Sequence, residues 1–289
     1  MSSRLDSQRL LTEFTLTRRV IIEWMGIGTG MTLIATVVFA TVYTLGTGQT
    51  EFGFRMDDAE SGIIEFVLAF LLIFVVLIIH EAIHAAVVSW YGGDVSFGVG
   101  CAQRVLPYLY VTTTQRLDRN QFIVVALAPF VAITVVGVAI MIVLDAAILI
   151  LPLAVNVGGA VGDLWMVGIL LRYPSHVVVE DAVTGIKIHG SDTDGPLPAT
   201  TAWTFLKQTA LGSGVGFGLL LLVGLITPLL LEGLGLQSFT VGVPDSPWSV
   251  YAFERTASGF ETSIKPIGVI TISILLGGLY AFVTTPRFP

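Results

Sequence analysis

Six stretches of this chain stay apolar for about twenty residues or more, and that constrains its fold before any other feature does. They run roughly from Val20 to Leu45, Ile63 to Trp90, Phe122 to Val143, Ala146 to Leu171, Leu206 to Leu231 and Ile264 to Val283. A run of this length reaches across a bilayer as a helix. In lipid only a helix or a closed barrel satisfies its own backbone. Of the 289 residues, 54% are hydrophobic and 12% charged, where a soluble domain carries roughly a quarter charged. The pattern predicts an all-α polytopic membrane protein with about six transmembrane helices, in one integral membrane domain over residues 1–289. The first run is too long for a signal-peptide core and reads as a retained helix. Only Leu144 and Asp145 part the third run from the fourth, which predicts a helical hairpin.

Positive charge gives the orientation. With the N-terminus in the cytoplasm, all of the 14 basic residues except Arg55, Arg255 and Lys265 fall inside. The expected location is therefore a cell membrane, multi-pass, with both termini cytoplasmic and the lipid bilayer as the main surrounding. A net charge of -7 argues against a nucleic-acid partner. The single cysteine, Cys101, excludes an internal disulfide and a cysteine-built zinc site. The number of subunits stays open.

Several connections have content of their own. The outside loop from Gly46 to Gly62 is acidic, with Glu51, Asp57, Asp58 and Glu60. Within the cytoplasmic segment Tyr91 to Asn120, the alternation of Val95 to Gly100 and the β-prone Leu109 to Thr114 predict a small β-hairpin at the membrane face. Val177 to His189 reads as a second strand–turn–strand, and Ser191 to Ala199 as a polar linker. The outside segment Gly233 to Thr262, rich in Gly and Pro, is expected to be mostly irregular.

Inside the second run stands Ile78-Ile79-His80-Glu81-Ala82-Ile83-His84-Ala85-Ala86. Ionisable groups at bilayer depth are expensive and usually functional. His80 and His84, spaced i and i+4, project from one helix face and can ligate one tetrahedral zinc ion. Glu81, next to the first of them, is placed to take a proton from water as a base. A single polar histidine in a membrane helix is often only a hydrogen-bonding contact; two at ligand spacing with an intervening glutamate are harder to read so.

A catalytic zinc takes three protein ligands. The extended pattern with a third histidine six residues on is absent, since position 90 is Trp. Asp163, in the fourth run, is the best candidate. His84 and His80 lie roughly 9–15 Å from the cytoplasmic end of their helix, and Asp163 roughly 12 Å from its own, by helical rise. Gly158, Gly159 and Gly162 would let the two helices approach closely. His176, Glu180, Asp181 and His189 are competing ligands, but on a cytoplasmic strand pair they read as solvated polar residues.

The segment "HEAIH" in an apolar helix, followed two helices later by "NVGGAVGDLW", resembles the site-2 protease class of intramembrane zinc metalloproteases, in particular its compact prokaryotic zincin-type relatives. The resemblance covers about Ile63 to Leu171, a three-helix catalytic core, with the runs at 20–45, 206–231 and 264–283 as additional helices. It implies one zinc ion held by His80, His84 and Asp163, with Glu81 as catalytic base. It also implies that Asn156 is a polar group near the scissile carbonyl. The chain departs from the family's common pattern here: Val157 follows Asn156 instead of proline, and the ending is Gly162-Asp163-Leu164.

The expected activity is hydrolysis of a membrane-spanning or membrane-proximal protein near the cytoplasmic face, through a polar crevice that admits water. The hairpin from Val95 to Thr114 could take the unwound substrate as an added strand. A zinc-binding scaffold or sensor without turnover is the second reading, and a transporter the third. A transporter would more often show repeated halves, which this sequence does not. A purely structural zinc site would fill all four positions and have no use for Glu81.

Overall fold

The computed structural model describes residues 9–49, 59–102, 106–182, 185–198, 201–243, 250–256, 259–264 and 266–285. The expected acidic stretch at 51–58 lies outside them. The chain is mostly helical and divides into two compact units, Met1–Ile22 with Val38–Pro198 and Glu23–Val37 with Ala199–Pro289.

The first unit holds strand β1 (Arg9–Thr15), the two ends of helix α1 (Arg18–Thr47), α2 (Ala59–Trp90), β2 (Ser96–Ala102), β3 (Leu106–Thr112), β4 (Leu117–Asp118), α3 (Arg119–Val143), α4 (Ile150–Gly159), α5 (Val161–Leu170), β5 (Val178–Ala182) and β6 (Gly185–Gly190). Helix α2 is apolar all round. Phe70, Leu71, Phe74, Val75, Ile78 and Ile79 are exposed, while Ala69, His80, Ala85 and Val88 are buried. The large hydrophobics point outward and the small or polar residues inward, as lipid rather than water demands.

Helix α3 starts where the Asp118 backbone N–H donates to Gln121 Oε1 at 3.0 Å. It ends at the expected tight turn. Asp145 adopts a φ of 52° there and accepts a hydrogen bond from the Tyr43 hydroxyl. On the return, Leu153 of α4 fills the space that a side chain on Gly137 would need.

The fourth run, expected from sequence as one continuous helix, is interrupted. A 3-10 turn (Ala147–Leu149) leads into α4, and α4 gives way to α5 at Ala160. Gly158 and Gly159, poor helix formers, stand immediately before the break. The break puts Asp163 in the first turn of a new helix, where the helix dipole favours a carboxylate.

The strand pair expected at Val177 to His189 is the middle of a four-stranded antiparallel sheet in the order β1-β6-β5-β4. Its outer strand β1 carries no strong sequence signal. Val177, Val179, Ile186 and Ile188 form one core with Val88 of α2, Phe122 and Val125 of α3 and Leu170 of α5. Each such buried aliphatic side chain contributes about 1.5–3 kcal/mol. The sheet thus ties together the ends of α2 and α5, which carry the ionisable groups, and of α3. The other expected hairpin is β2 paired antiparallel with β3, from Ser96↔Thr112 to Ala102↔Leu106. The Tyr110 ring lies across Gly98.

The second unit contains the middle of α1, helix α6 (Thr201–Gly233), strands β7 (Ser238–Val241), β8 (Tyr251–Thr256) and β9 (Gly259–Ile264), and helix α7 (Pro266–Thr284). A Cβ on Gly30 would stand 2.9 Å from the Gly214 Cα, and one on Gly212 2.9 Å from the Gly277 Cα, so the glycines serve close helix packing. Lys207 Nζ meets Glu23 Oε2 at 2.6 Å. Within the segment expected to be mostly irregular, of which 244–249 and 257–258 lie outside the described residues, stands a three-stranded antiparallel sheet, β7-β8-β9. Its alternation over Tyr251-Ala252-Phe253-Glu254 buries Tyr251 and Phe253 against Leu231; the Gly and Pro content masked that period.

Among the described residues, five helical stretches are long and apolar enough to cross a membrane, the interrupted one at Ala147–Leu170 counted as one. The sixth run forms α7, whose apolar stretch Gly268–Thr284 is shorter.

Candidate metal centre

Helix α2 carries His80 and His84 one turn apart, their ring centroids 4.9 Å from each other. Each ring makes two polar contacts. His80 Nδ1 lies 2.9 Å from Asn156 Oδ1 on α4. His84 Nδ1 lies 2.9 Å from the backbone oxygen of Val125 on α3. A carbonyl oxygen only accepts, so the proton in each bond sits on Nδ1. That leaves both Nε2 atoms to face the same carboxylate: His80 Nε2 is 3.2 Å from Asp163 Oδ2, and His84 Nε2 is 3.5 Å from Asp163 Oδ1. The three groups are nearly closed to solvent, with side-chain exposures of 9%, 13% and 13%.

With Nδ1 protonated, a neutral imidazole presents a bare lone pair at Nε2, and a carboxylate presents only lone pairs. Acceptors pressed this close call for a positive charge among them, whether protons on the rings or a cation. The spacing fits a metal. Zinc bonds of roughly 2.0–2.2 Å in tetrahedral array would hold nitrogen and oxygen ligands about 3.3 Å apart. The three ligand atoms lie within 4.8 Å of one another. Partners at the far ring nitrogen are the usual way a protein orients metal-binding histidines. On its donor chemistry this site can hold a zinc ion.

Glu81 is half-buried beside this set. The backbone N–H of Val111, on β3, is directed at its carboxylate, so the hairpin abuts the glutamate. Asn156 is fully buried; its carboxamide oxygen serves His80, and its Nδ2 has no hydrogen-bond partner. The family resemblance implies a place for Asn156 near the scissile carbonyl. Its described contact is to a ligand-type histidine.

The competing candidates lie elsewhere, Glu180, Asp181 and His189 on the sheet and His176 in the turn before β5. Glu180 gathers Arg116 at 2.9 Å and Lys187 at 3.6 Å. Burial works against its ionisation, but the hydrogen bond and charge of Arg116 hold its carboxyl below the usual range. His189 Nε2 lies 3.1 Å from Glu180 Oε2, and burial, joined by Arg116, pushes its ring down. His176 pairs with Asp194 at 2.9 Å. Asp181 accepts from the Thr113 backbone N–H at 3.3 Å, and burial pushes its carboxyl up to about 6. None of these joins the group at Asp163.

Sequence reasoning missed the Val125 carbonyl, the Val111 amide and the Asn156–His80 bond. Backbone groups leave no residue signature, but one trace is present: a proline, Pro129, inside α3.

Residues 73–178 match the model of a family described as "Putative zincin peptidase". The matched stretch runs from within α2 to the first residue of β5 and contains His80, Glu81, His84, Asn156 and Asp163. It supports a zinc metallopeptidase. No curated protein and no solved structure matches the chain.

Proposed function

We propose that this chain is an intramembrane zinc endopeptidase of the site-2 protease type, cutting a membrane-spanning or membrane-proximal protein near the cytoplasmic face of a cell membrane. One observation carries the reading. Two histidine Nε2 atoms and one carboxylate converge at tetrahedral ligand spacing, beside a glutamate, on apolar helices. His80, His84 and Asp163 hold the ion, and Glu81 is the catalytic base.

When bound, zinc polarises the scissile carbonyl and makes water acidic enough to be deprotonated near neutral pH. The residues of the chain do the rest. Glu81 accepts the proton of the attacking water and delivers it to the leaving amine as the C–N bond breaks. Asn156 and the Val125 carbonyl keep both rings turned to Asp163. A substrate helix must unwind to be cut, since its carbonyls are otherwise shielded. The β2–β3 hairpin, in touch with Glu81 through Val111, is suited to receive the unwound segment as an added strand. The crossing helices are α1, α2, α3, the α4–α5 pair and α6, with α7 as the sixth and shortest.

The test is metal content together with cleavage of a membrane-protein substrate, on detergent-purified wild type, His80→Ala, Asp163→Ala and Glu81→Gln. The reading expects about one zinc per chain, as a single-ion site requires. It expects the ion lost in the first two variants, and zinc kept but cleavage lost in the third. Zinc bound with no turnover against a panel of membrane substrates would leave a zinc-holding scaffold. No zinc after reconstitution would end the metallopeptidase reading.

A further inference from the structure

A proline in the middle of an apolar helix weakens it, because the ring removes one N–H from the ladder. In lipid the carbonyl so released has to find another donor. Pro129 stands in this position in α3 and is fully buried. In an unbroken α-helix the N–H of residue 129 would bond to the carbonyl of residue 125. Val125 is the residue whose carbonyl oxygen lies 2.9 Å from His84 Nδ1.

We infer that Pro129 is a positioning residue of the metal centre: having no N–H, it leaves the Val125 carbonyl free for His84, and this bond holds the His84 ring with Nδ1 protonated and Nε2 turned to Asp163. The inference rests on the reading of His84 as a metal ligand. Its logic needs no contact between Pro129 and the site. The proline acts by absence of a donor, through one carbonyl and one ring. An N–H at position 129 would compete for that carbonyl from within its own helix, at short range and in helical geometry. His84 would then lose the partner that fixes its tautomer. Such partners typically change metal affinity roughly 10- to 100-fold.

The experiment measures zinc affinity of the full, detergent-purified chain by competition with a chromophoric chelator. Pro129→Ala restores the N–H. It is expected to bind zinc at least tenfold more weakly than wild type, while its thermal midpoint stays equal or rises because the helix ladder is repaired. Pro228→Ala in α6, a proline remote in sequence from the site, is the control and should bind as wild type does. A third variant separates the missing N–H from the proline ring. Lactic acid introduced at position 129 has the alanine side chain but an ester oxygen in place of N–H, and it should restore wild-type affinity. Equal affinity in wild type and Pro129→Ala would overturn the inference. So would an ester variant as weak as the alanine one.

The ring nitrogens of the metal-free wild type give a reading that depends on neither zinc nor variants. With only four histidines in the chain, 15N spectra at alkaline pH should show His84 protonated at Nδ1. Protonation at Nε2 would overturn the inference even where the metal reading stands. If wild type takes up no zinc, the metal reading and this inference fall together, whatever tautomer the spectra show.

Discussion

Two sites among the described residues gather charged groups on apolar helices, and each handles them differently. In the second unit, Lys207 Nζ meets Glu23 Oε2 at 2.6 Å, a cation against an anion. In the first unit, two imidazoles and Asp163 converge with lone pairs facing lone pairs. That set is balanced only when a positive charge is added. The first arrangement sets opposite charges against each other; the second sets acceptors against acceptors. What separates them is therefore the charge they gather, more than the depth of burial.

The largest expected effect tests the second arrangement. His84→Ala should take zinc from about one ion per chain to none by elemental analysis, since two remaining ligands cannot hold a catalytic zinc. Retention of the metal would mean that the ligands have been misread. Next comes Glu81→Gln, which should keep its zinc and lose at least about a hundredfold in cleavage rate, the usual contribution of a general base. Activity close to wild type would show that the proton goes elsewhere.

The first arrangement answers to a different experiment. Lys207→Met removes the cation that meets Glu23 and should cost up to about 3–5 kcal/mol, whereas the double variant with Glu23→Leu should recover most of it. Zinc content should not change in either. A thermal unfolding series with metal analysis checks both halves, and a loss of zinc on breaking this pair would dissolve the distinction between the two sites.

Smaller again is Asn156→Leu, which removes the partner of His80 Nδ1. A 10- to 100-fold loss of zinc affinity is expected, with the Asp variant, which keeps an acceptor oxygen, closer to wild type. If Asn156→Leu binds zinc normally but raises KM for a substrate, the role near the scissile carbonyl is the better account.

The smallest effect concerns another carboxyl, Asp181, half-buried and accepting a hydrogen bond from the Thr113 backbone N–H. Burial raises it from 3.8 to about 6 in the folded protein. The folded state therefore binds its proton more tightly than the unfolded one. Stability should fall as pH rises from about 4 to about 6, then level off. Asp181→Asn should flatten that slope in a pH series of thermal midpoints; an unchanged slope would assign it to other groups.

Much of the site is legible in the amino-acid sequence itself. His80, Glu81 and His84 announce themselves by spacing, and Asp163 by its matching depth, because a helix converts residue number into height. The hairpin at 96–112 shows its period of two directly. The break at Ala160 is not legible, since apolar residues continue across Gly158 and Gly159 and hydrophobicity alone carries no mark of an interruption. Strand β1 escapes the sequence because its partner lies far along the chain, Arg9 pairing with Gly190, and the β7-β8-β9 sheet because its Gly and Pro content hides the period of two. The acceptors for the two histidines are invisible for a further reason. One is a backbone oxygen, and the other belongs to a residue to which the family resemblance assigns a different task.

That long-range pairing has a consequence for the order in which the molecule is made. A ribosome completes His80 83 residues before Asp163, and β1 must wait for β6, whose Gly190 is still later. A nascent chain therefore holds the two histidines with neither their carboxylate nor the finished sheet that ties the helix ends together. Assembly of the candidate centre is deferred until the segment from Asp163 to Gly190 has emerged. Synthesis itself sets the moment at which the three candidate ligands can first meet.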